Sequence, residues 1–210
     1  MLSFVFIMIP QGLVAAERIN EVLEQENIQT FVEEDFGLNR IETVEFRDVS
    51  FRYEGAEKEM LRNVNFTAKT GEKIAIIGST GAGKYTMMNL LLRFLDASSG
   101  EVLYNGINIQ NFTEKELRNQ IAYVPQNRLL FAGTIRDNLR FGNEHATDEE
   151  MIEALKLAEA WEFVSGLEDG LDAQVEQKGD NFSGGQKQRL SIARALVKNA
   201  SIHIYDDSFS

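Results

Sequence analysis

One short run, Gly78-Ser79-Thr80-Gly81-Ala82-Gly83-Lys84-Tyr85-Thr86, constrains the fold of this chain more than any other stretch. It has the spacing G-x-x-x-x-G-K and follows an apolar stretch, Lys73-Ile74-Ala75-Ile76-Ile77, that reads as a buried strand. Gly78, Gly81 and Gly83 carry no Cβ, so the backbone can take positive φ and turn successive N–H groups onto one anion. Lys84 opens a helix predicted to run to about Phe94, and its N-terminal dipole and ammonium both favour phosphate charge. Strand, glycine loop and helix in that order predict an α/β fold with a nucleoside triphosphate site.

The residue after the lysine departs from the pattern. A Ser or Thr is expected there, because its small hydroxyl ligates Mg²⁺, and this chain has Tyr85. A phenol is a poor neutral ligand, and its ring needs room beside the β-phosphate. Thr86 follows, but a helix turns about 100° per residue, so its hydroxyl is expected to point elsewhere.

A second glycine run lies about a hundred residues on, by the numbering. Ser183-Gly184-Gly185-Gln186, followed by the basic amphipathic stretch Lys187 to Leu196, is similar to the signature motif of ATP-binding cassette (ABC) ATPases. A helix starting at Ser183 offers its hydroxyl and the Gly184 and Gly185 amides to an anion. In that family the signature caps the γ-phosphate held by the other subunit of a head-to-tail dimer. The resemblance implies an α/β, P-loop NTPase core of ABC type, with an antiparallel β part and a helical subdomain.

Four further positions acquire roles from the resemblance. Tyr53 sits where the family stacks an aromatic ring on adenine; without the resemblance it reads as a half-buried strand aromatic. Gln126, in Ile121-Ala122-Tyr123-Val124-Pro125-Gln126, matches the glutamine that contacts Mg²⁺ and the attacking water. Asp206 ends Ile202-His203-Ile204-Tyr205-Asp206 and matches the acid that holds the metal. Asp207 falls where the family's general base is usually Glu. Asp is one methylene shorter, so its reach to the water is reduced and slow hydrolysis is expected.

The implied activity is that of an ABC-type ATPase coupled to transmembrane transport, with ATP and Mg²⁺ as cofactors. Losses at Tyr85 and Asp207 beside an intact signature resemble the degenerate-site half of a heterodimeric exporter. The implied partners are a second ABC subunit, hetero favoured over homo, the transmembrane domain of the same chain, and the membrane. The ATPase domain would then lie on the cytoplasmic side of the cell membrane. Two alternatives stand: a non-hydrolytic ATP-binding regulatory subunit, and a soluble ABC ATPase.

The first residues bear on that choice. Met1 to Ile9 carry no charge but are too few to cross a bilayer at about 20 residues per span. They lead through Pro10 and Gly12 into an amphipathic stretch, Ala15 to Glu24, which looks like the cytoplasmic end of a last transmembrane helix and its elbow. Residues 1–24 are assigned so, 25–40 as an acidic linker, and 41–210 as the ATPase domain, C-terminally incomplete, with its helical subdomain at about 127–195. The stretch from Arg128 to Gly142 resembles the exporter segment under the membrane domain. Leu129, Leu130 and Phe131 in it suit either docking or core burial.

Local signals predict the remaining elements. An antiparallel pair is expected near Ile41 to Thr67, a hairpin over Glu101 to Ile109 turning at Asn105-Gly106, and helices over Thr113 to Asn119 and Asp148 to about Ser165. A formal charge of −12, with no basic patch outside the signature helix, argues against nucleic acid as a partner. With no cysteine, disulfides and thiolate metal sites are excluded, and His145 and His203 are too isolated to form a metal site.

Overall fold

The computed structural model describes residues 2–24 and 29–206. Two compact units emerge, residues 1–30 and 31–210. The first is built on helix α1, Leu2–Leu23, which passes through Pro10 without ending. No helix among the described residues is long and apolar enough to cross a membrane.

The second unit opens with two long strands, β1 (Thr43–Phe51) and β2 (Leu61–Lys69), paired antiparallel. Period-two alternation sends Val44 and Phe46 into the core and Glu45 and Arg47 outward. The alternation breaks at Asp48, which takes φ 50° and shifts the register. Asn65 stitches this bulge, accepting from the Asp48 N–H at 2.9 Å and donating to its carboxylate at 2.8 Å. Beyond the bulge Val49, Ser50 and Phe51 are all buried.

Helix α2 (Lys84–Leu91) follows, then β3 (Ser99–Tyr104) and β4 (Ile107–Asn108), which complete a sheet in the order β2-β1-β3-β4. Asn105 and Gly106 turn the β3–β4 hairpin with φ 52° and 78°, as their sequence requires. Helix α3 (Glu114–Gln120) begins in a capping box between Thr113 and Glu116 and leads into β5 (Ile121–Val124). The sheet face, α2 and α3 enclose one core, with Phe46, Leu90, Tyr104, Phe112 and Leu117 at its centre.

A second core belongs to the helical part. It is formed by β6 (Gly133–Thr134), α4 (Ile135–Arg140), α5 (Asp148–Leu157), α6 (Trp161–Ser165), β7 (Gln174–Val175) and α7 (Gly184–Val197), around Ile135, Leu139, Met151, Leu155 and Val164. Arg136 bridges its elements, meeting Asp172 at 2.7 Å and also Asp148. Strand β8 (Ile202–Tyr205) then returns to pair in parallel with β5. A small cluster of Ala122, Val124 and Ala195 sets α7 against that strand pair.

Four expectations need correction. Residues 73–77 form no strand, and Ile77 is 93% exposed, because among the described residues the run has no neighbouring ladder to satisfy its backbone groups. Helix α2 stops at Leu91 rather than Phe94, since Arg93 turns left-handed at φ 50°. The helix expected over Asp148 to Ser165 is two helices, broken where Glu159 takes φ 54°. The later part of the expected linker is docked: Phe36 packs edge-on against Phe112, and the Gly37 and Leu38 amides donate to Glu116.

Candidate functional site

The glycine loop hangs ahead of α2. Gly81 and Gly83 use their freedom at φ 80° and 89°, while Gly78 has ordinary φ. The Ala82 amide closes the turn on the Ser79 carbonyl at 3.1 Å. Lys84 folds back into this loop, its ammonium donating to the carbonyls of Gly78 at 2.5 Å and Ser79 at 3.0 Å. A cation is thus stored at the point where the backbone turns, and an arriving phosphate can take it over from neutral carbonyls. The residues of the loop from Gly78 to Ala82, Thr80 included, face solvent.

Thr86 is buried on the inner side of α2, and its hydroxyl lies 2.9 Å from that of Tyr53. Tyr53 leaves the end of β1 with its ring edge-on to Phe51, centroids 4.8 Å apart, and it remains half exposed. Its aromatic face is therefore available near the loop, fixed at both ends of the side chain.

The parallel pairing of β5 with β8 brings a second group together. Val124 lies opposite Tyr205, and the Asp206 amide donates to the Val124 carbonyl at 3.0 Å. Gln126 and Asp206 consequently emerge side by side from the carboxyl ends of adjacent parallel strands, the usual place for a ligand in such sheets. The Tyr123 hydroxyl donates to an Asp206 carboxylate oxygen at 3.3 Å. Burial, then the Asp206 charge and its hydrogen bond, then the neighbouring Tyr85, push the Tyr123 phenol up to about 12, so it remains a donor at neutral pH. Tyr85 itself is 61% exposed on the first turn of α2. Tyr123 was not singled out in the sequence; its position three residues before Gln126 was the available signal. Asp207 lies outside the described residues.

At the signature, Ser183 caps α7 in a reciprocal box. Its hydroxyl accepts from the Gln186 amide at 3.3 Å, and the Gln186 side chain accepts from the Ser183 amide at 2.9 Å. Gln186 is thus engaged with its own helix start, whereas Gly184 and Gly185 are exposed. This end belongs to the helical core, whereas the glycine loop leads into the helix packed on the sheet core. Arg194, farther along α7, was also missed: it donates to the Leu129 carbonyl at 3.1 Å and lies over the Phe131 ring. Leu130 is buried in the helical core, while Leu129 and Phe131 are each 42% exposed.

Of the residues expected around Mg²⁺, Gln126 and Asp206 emerge together at the ends of β5 and β8, while Tyr85 stands where a small hydroxyl was expected. Asp206 accepts from Tyr123 and keeps further lone pairs, and among the described residues no group of three or more His, Cys, Asp or Glu could hold a metal.

A glycine loop between sheet and helix, a carboxylate and amide at parallel strand ends, and a capped helix start on a separate subdomain define a P-loop nucleotide-binding domain. Residues 61–210 match the ABC transporter family, and the chain belongs to it. It is 43% identical over 211 residues to an ABC transporter ATP-binding protein of Bacillus subtilis, covering 100% of this chain and 36% of that protein. It is 41% identical over 214 residues to the ATP-dependent lipid A-core flippase of Coxiella burnetii, again covering 100% and 36%. The structure of a bacterial Atm1-family ABC exporter with ATP bound superposes with a TM-score of 0.83 at 35% identity, over 99% of this chain and 36% of that one. The chain therefore spans about a third of the length of these relatives.

Proposed function

We propose that this chain is the ATP-binding and ATP-hydrolysing domain of a membrane exporter, and that it works as one half of a heterodimer in which its own P-loop site turns over slowly. The observation that carries the reading is Tyr85 on the first turn of α2, next to Lys84, in a chain whose signature start at Ser183 is well formed. A weak site of its own and a sound half-site for a partner suit an unequal pair.

In this reading Tyr53 stacks on adenine, and Gly78, Ser79, Thr80, Gly81, Ala82, Gly83 and Lys84 hold the phosphates, with Tyr85 and Thr86 on the adjoining helix turn. Ser183, Gly184, Gly185 and Gln186 cover the γ-phosphate bound by the partner subunit. Hydrolysis is in-line attack of water on the γ-phosphorus, with Gln126 orienting the water, Asp207 taking its proton and ADP departing as the leaving group. Lys84 exchanges the Gly78 and Ser79 carbonyls for phosphate oxygens as ATP enters. Of the expected metal partners only Gln126 and Asp206 remain, so Lys84 and the loop amides carry most of the phosphate charge. Residues 1–24 are the end of a last transmembrane helix and its elbow, which sets the domain on the cytoplasmic face of the cell membrane, with Leu129 and Phe131 offered to the membrane domain.

The test is ATP affinity and ATPase rate of the full-length protein in membranes, alone and co-produced with its nearest similar subunit. Turnover only with the second subunit supports the unequal pair, and steady turnover alone sinks it. A purely regulatory, non-hydrolytic subunit is the second reading, also favoured by Tyr85; it predicts that the pair hydrolyses ATP unchanged when Asp207 becomes Asn.

A further inference from the structure

We infer that Tyr123 is a positioning residue for Asp206: its hydroxyl sets the direction in which that carboxylate faces the phosphate site, and so how well the site takes up a divalent cation with the nucleotide. The inference deepens the ATP-site reading above and rests on it.

The register of the parallel pair puts the two residues together. Tyr123 lies opposite Ile204. Residues two apart along a strand share a face, so Asp206 follows Ile204 on the face from which Tyr123 projects. The Asp206 amide donates to the Val124 carbonyl at 3.0 Å, which carries the ladder one step past β8 and fixes the main chain of the acid. The Tyr123 hydroxyl donates to a carboxylate oxygen of the same residue at 3.3 Å and restrains its side chain. Two consecutive residues of β5 thus hold Asp206, one by its backbone and one by its carboxylate. The Tyr123 ring packs against the sheet core that contains Ile204, so its hydroxyl is delivered from a rooted side chain.

An aspartate at the end of a strand can otherwise turn among its rotamers. One neutral donor narrows that choice while leaving the negative charge in place, and it uses only one of the lone-pair sites of the carboxylate. The group therefore remains able to accept from a cation or from water bound to one. Gln126 leaves the same strand three residues after Tyr123, so a single segment of chain sets the direction of Asp206 relative to Gln126. At 3.3 Å the bond is long for a hydroxyl donor, and its loss should cost a few-fold rather than the site itself. Phenylalanine at this position keeps the ring and its packing and removes only the donor.

Affinity of the fluorescent analogue MANT-ATP for the full-length protein in detergent, in excess Mg²⁺ and in excess EDTA, tests this. Lys84→Ala serves as the baseline that removes the contribution of the glycine loop. The quantity read is the gain in Lys84-dependent affinity that Mg²⁺ brings. Tyr123→Phe is expected to cut that gain about threefold, while its affinity in EDTA stays within about twofold of wild type. In an Asp206→Ala background the same change is expected to cost nothing further, because the phenol acts through the carboxylate. An unchanged gain in Tyr123→Phe overturns the inference, as does an equal loss in both solutions, which would mark Tyr123 as a packing residue only. Losses that add in the double variant overturn it too, since Tyr123 would then act by another route. A wild-type protein that gains nothing from Mg²⁺ overturns it and leaves the ATP site standing. Absence of Lys84-dependent binding in either solution overturns the ATP reading together with the inference.

Discussion

The hydroxyl of Tyr53 lies 2.9 Å from that of Thr86, joining the strand that offers an aromatic face to the helix that follows the phosphate loop. In the proposed reading, the surfaces assigned to base and phosphate are thereby held at a fixed spacing before nucleotide arrives, which would lower the ordering cost of binding.

Removing that bond while keeping both shapes should loosen the spacing. Tyr53→Phe and Thr86→Val are each expected to weaken MANT-ATP binding about fivefold, in line with one hydrogen bond of about 1 kcal/mol. The double variant should be little worse than either single one, which a double-mutant cycle measures as coupling between the pair. Fully additive losses would mean that the two residues act separately.

Gly142 sits so close to α7 that a Cβ there would be 2.1 Å from the carbonyl oxygen of Arg194. That atom is backbone within a helix and cannot swing away. Gly142→Ala is expected to cost about 2–3 kcal/mol and to lower the melting temperature by several degrees. Thermal denaturation followed by circular dichroism checks it, with Gly12→Ala as a control because a Cβ there meets nothing within 4 Å.

Glu116 joins the docked segment before β1 to α3, accepting from the amides of Gly37 at 2.6 Å, Leu38 at 2.9 Å and Thr113 at 3.0 Å. Burial opposes its charge, but the Leu38, Thr113, Gly37 and Phe36 amides outweigh it and hold the carboxyl down to about 2. A carboxyl depressed in the folded state contributes stability in full above its unfolded value of 4.5, and that stability fades as pH falls from there toward about 2. Glu116→Gln should lose about 2 kcal/mol at neutral pH, the scale of hydrogen bonds to a charged group. Its stability should then decline less steeply over that acid window than wild type in urea titrations.

Arg194 fastens the exposed turn around Leu129 to α7. Arg194→Met keeps much of the side-chain volume and removes the donor. Backbone amides of residues 129–131 are expected to exchange with deuterium roughly tenfold faster in the variant, while those of β1 stay unchanged. Equal protection in both proteins would show that buried Leu130 alone holds the turn.

In the proposed reading, Asp207→Glu adds one methylene of reach toward the attacking water. In the full-length pair it is expected to raise ATP hydrolysis about tenfold. An unchanged rate would put the limit at Tyr85.

Elements fixed by neighbours in sequence were legible beforehand. Asn105-Gly106 declared its turn, helix starts were expected at Thr113 and Ser183, and the glycine loop declared both its bend and its lysine. Features decided by distant partners were not. Ile74, Ile76 and Ile77 are as apolar as a buried strand, but only a ladder makes a strand, and sequence does not reveal whether one is present. The break at Glu159 depends on a left-handed turn by an ordinary residue, and the docking of Gly37 and Leu38 depends on an acid nearly eighty positions away. At the site, Gln126 and Asp206 could be named from motif, while the bond from Tyr123 to Asp206 came only with strand pairing.

The two apolar cores meet through a small seam, Ala122 and Val124 against Ala195. With Ile192 and Tyr205 packed against it, the seam is much smaller than either core, so fewer dispersion contacts join the two cores than hold each one together. Two cores joined in this way are expected to differ in local stability, which amide exchange in each would read. The signature start at Ser183 and the phosphate loop at Lys84 fall on opposite sides of that division. In the proposed reading, a lesion in one core would silence the surface offered to a partner while the chain still holds its own nucleotide.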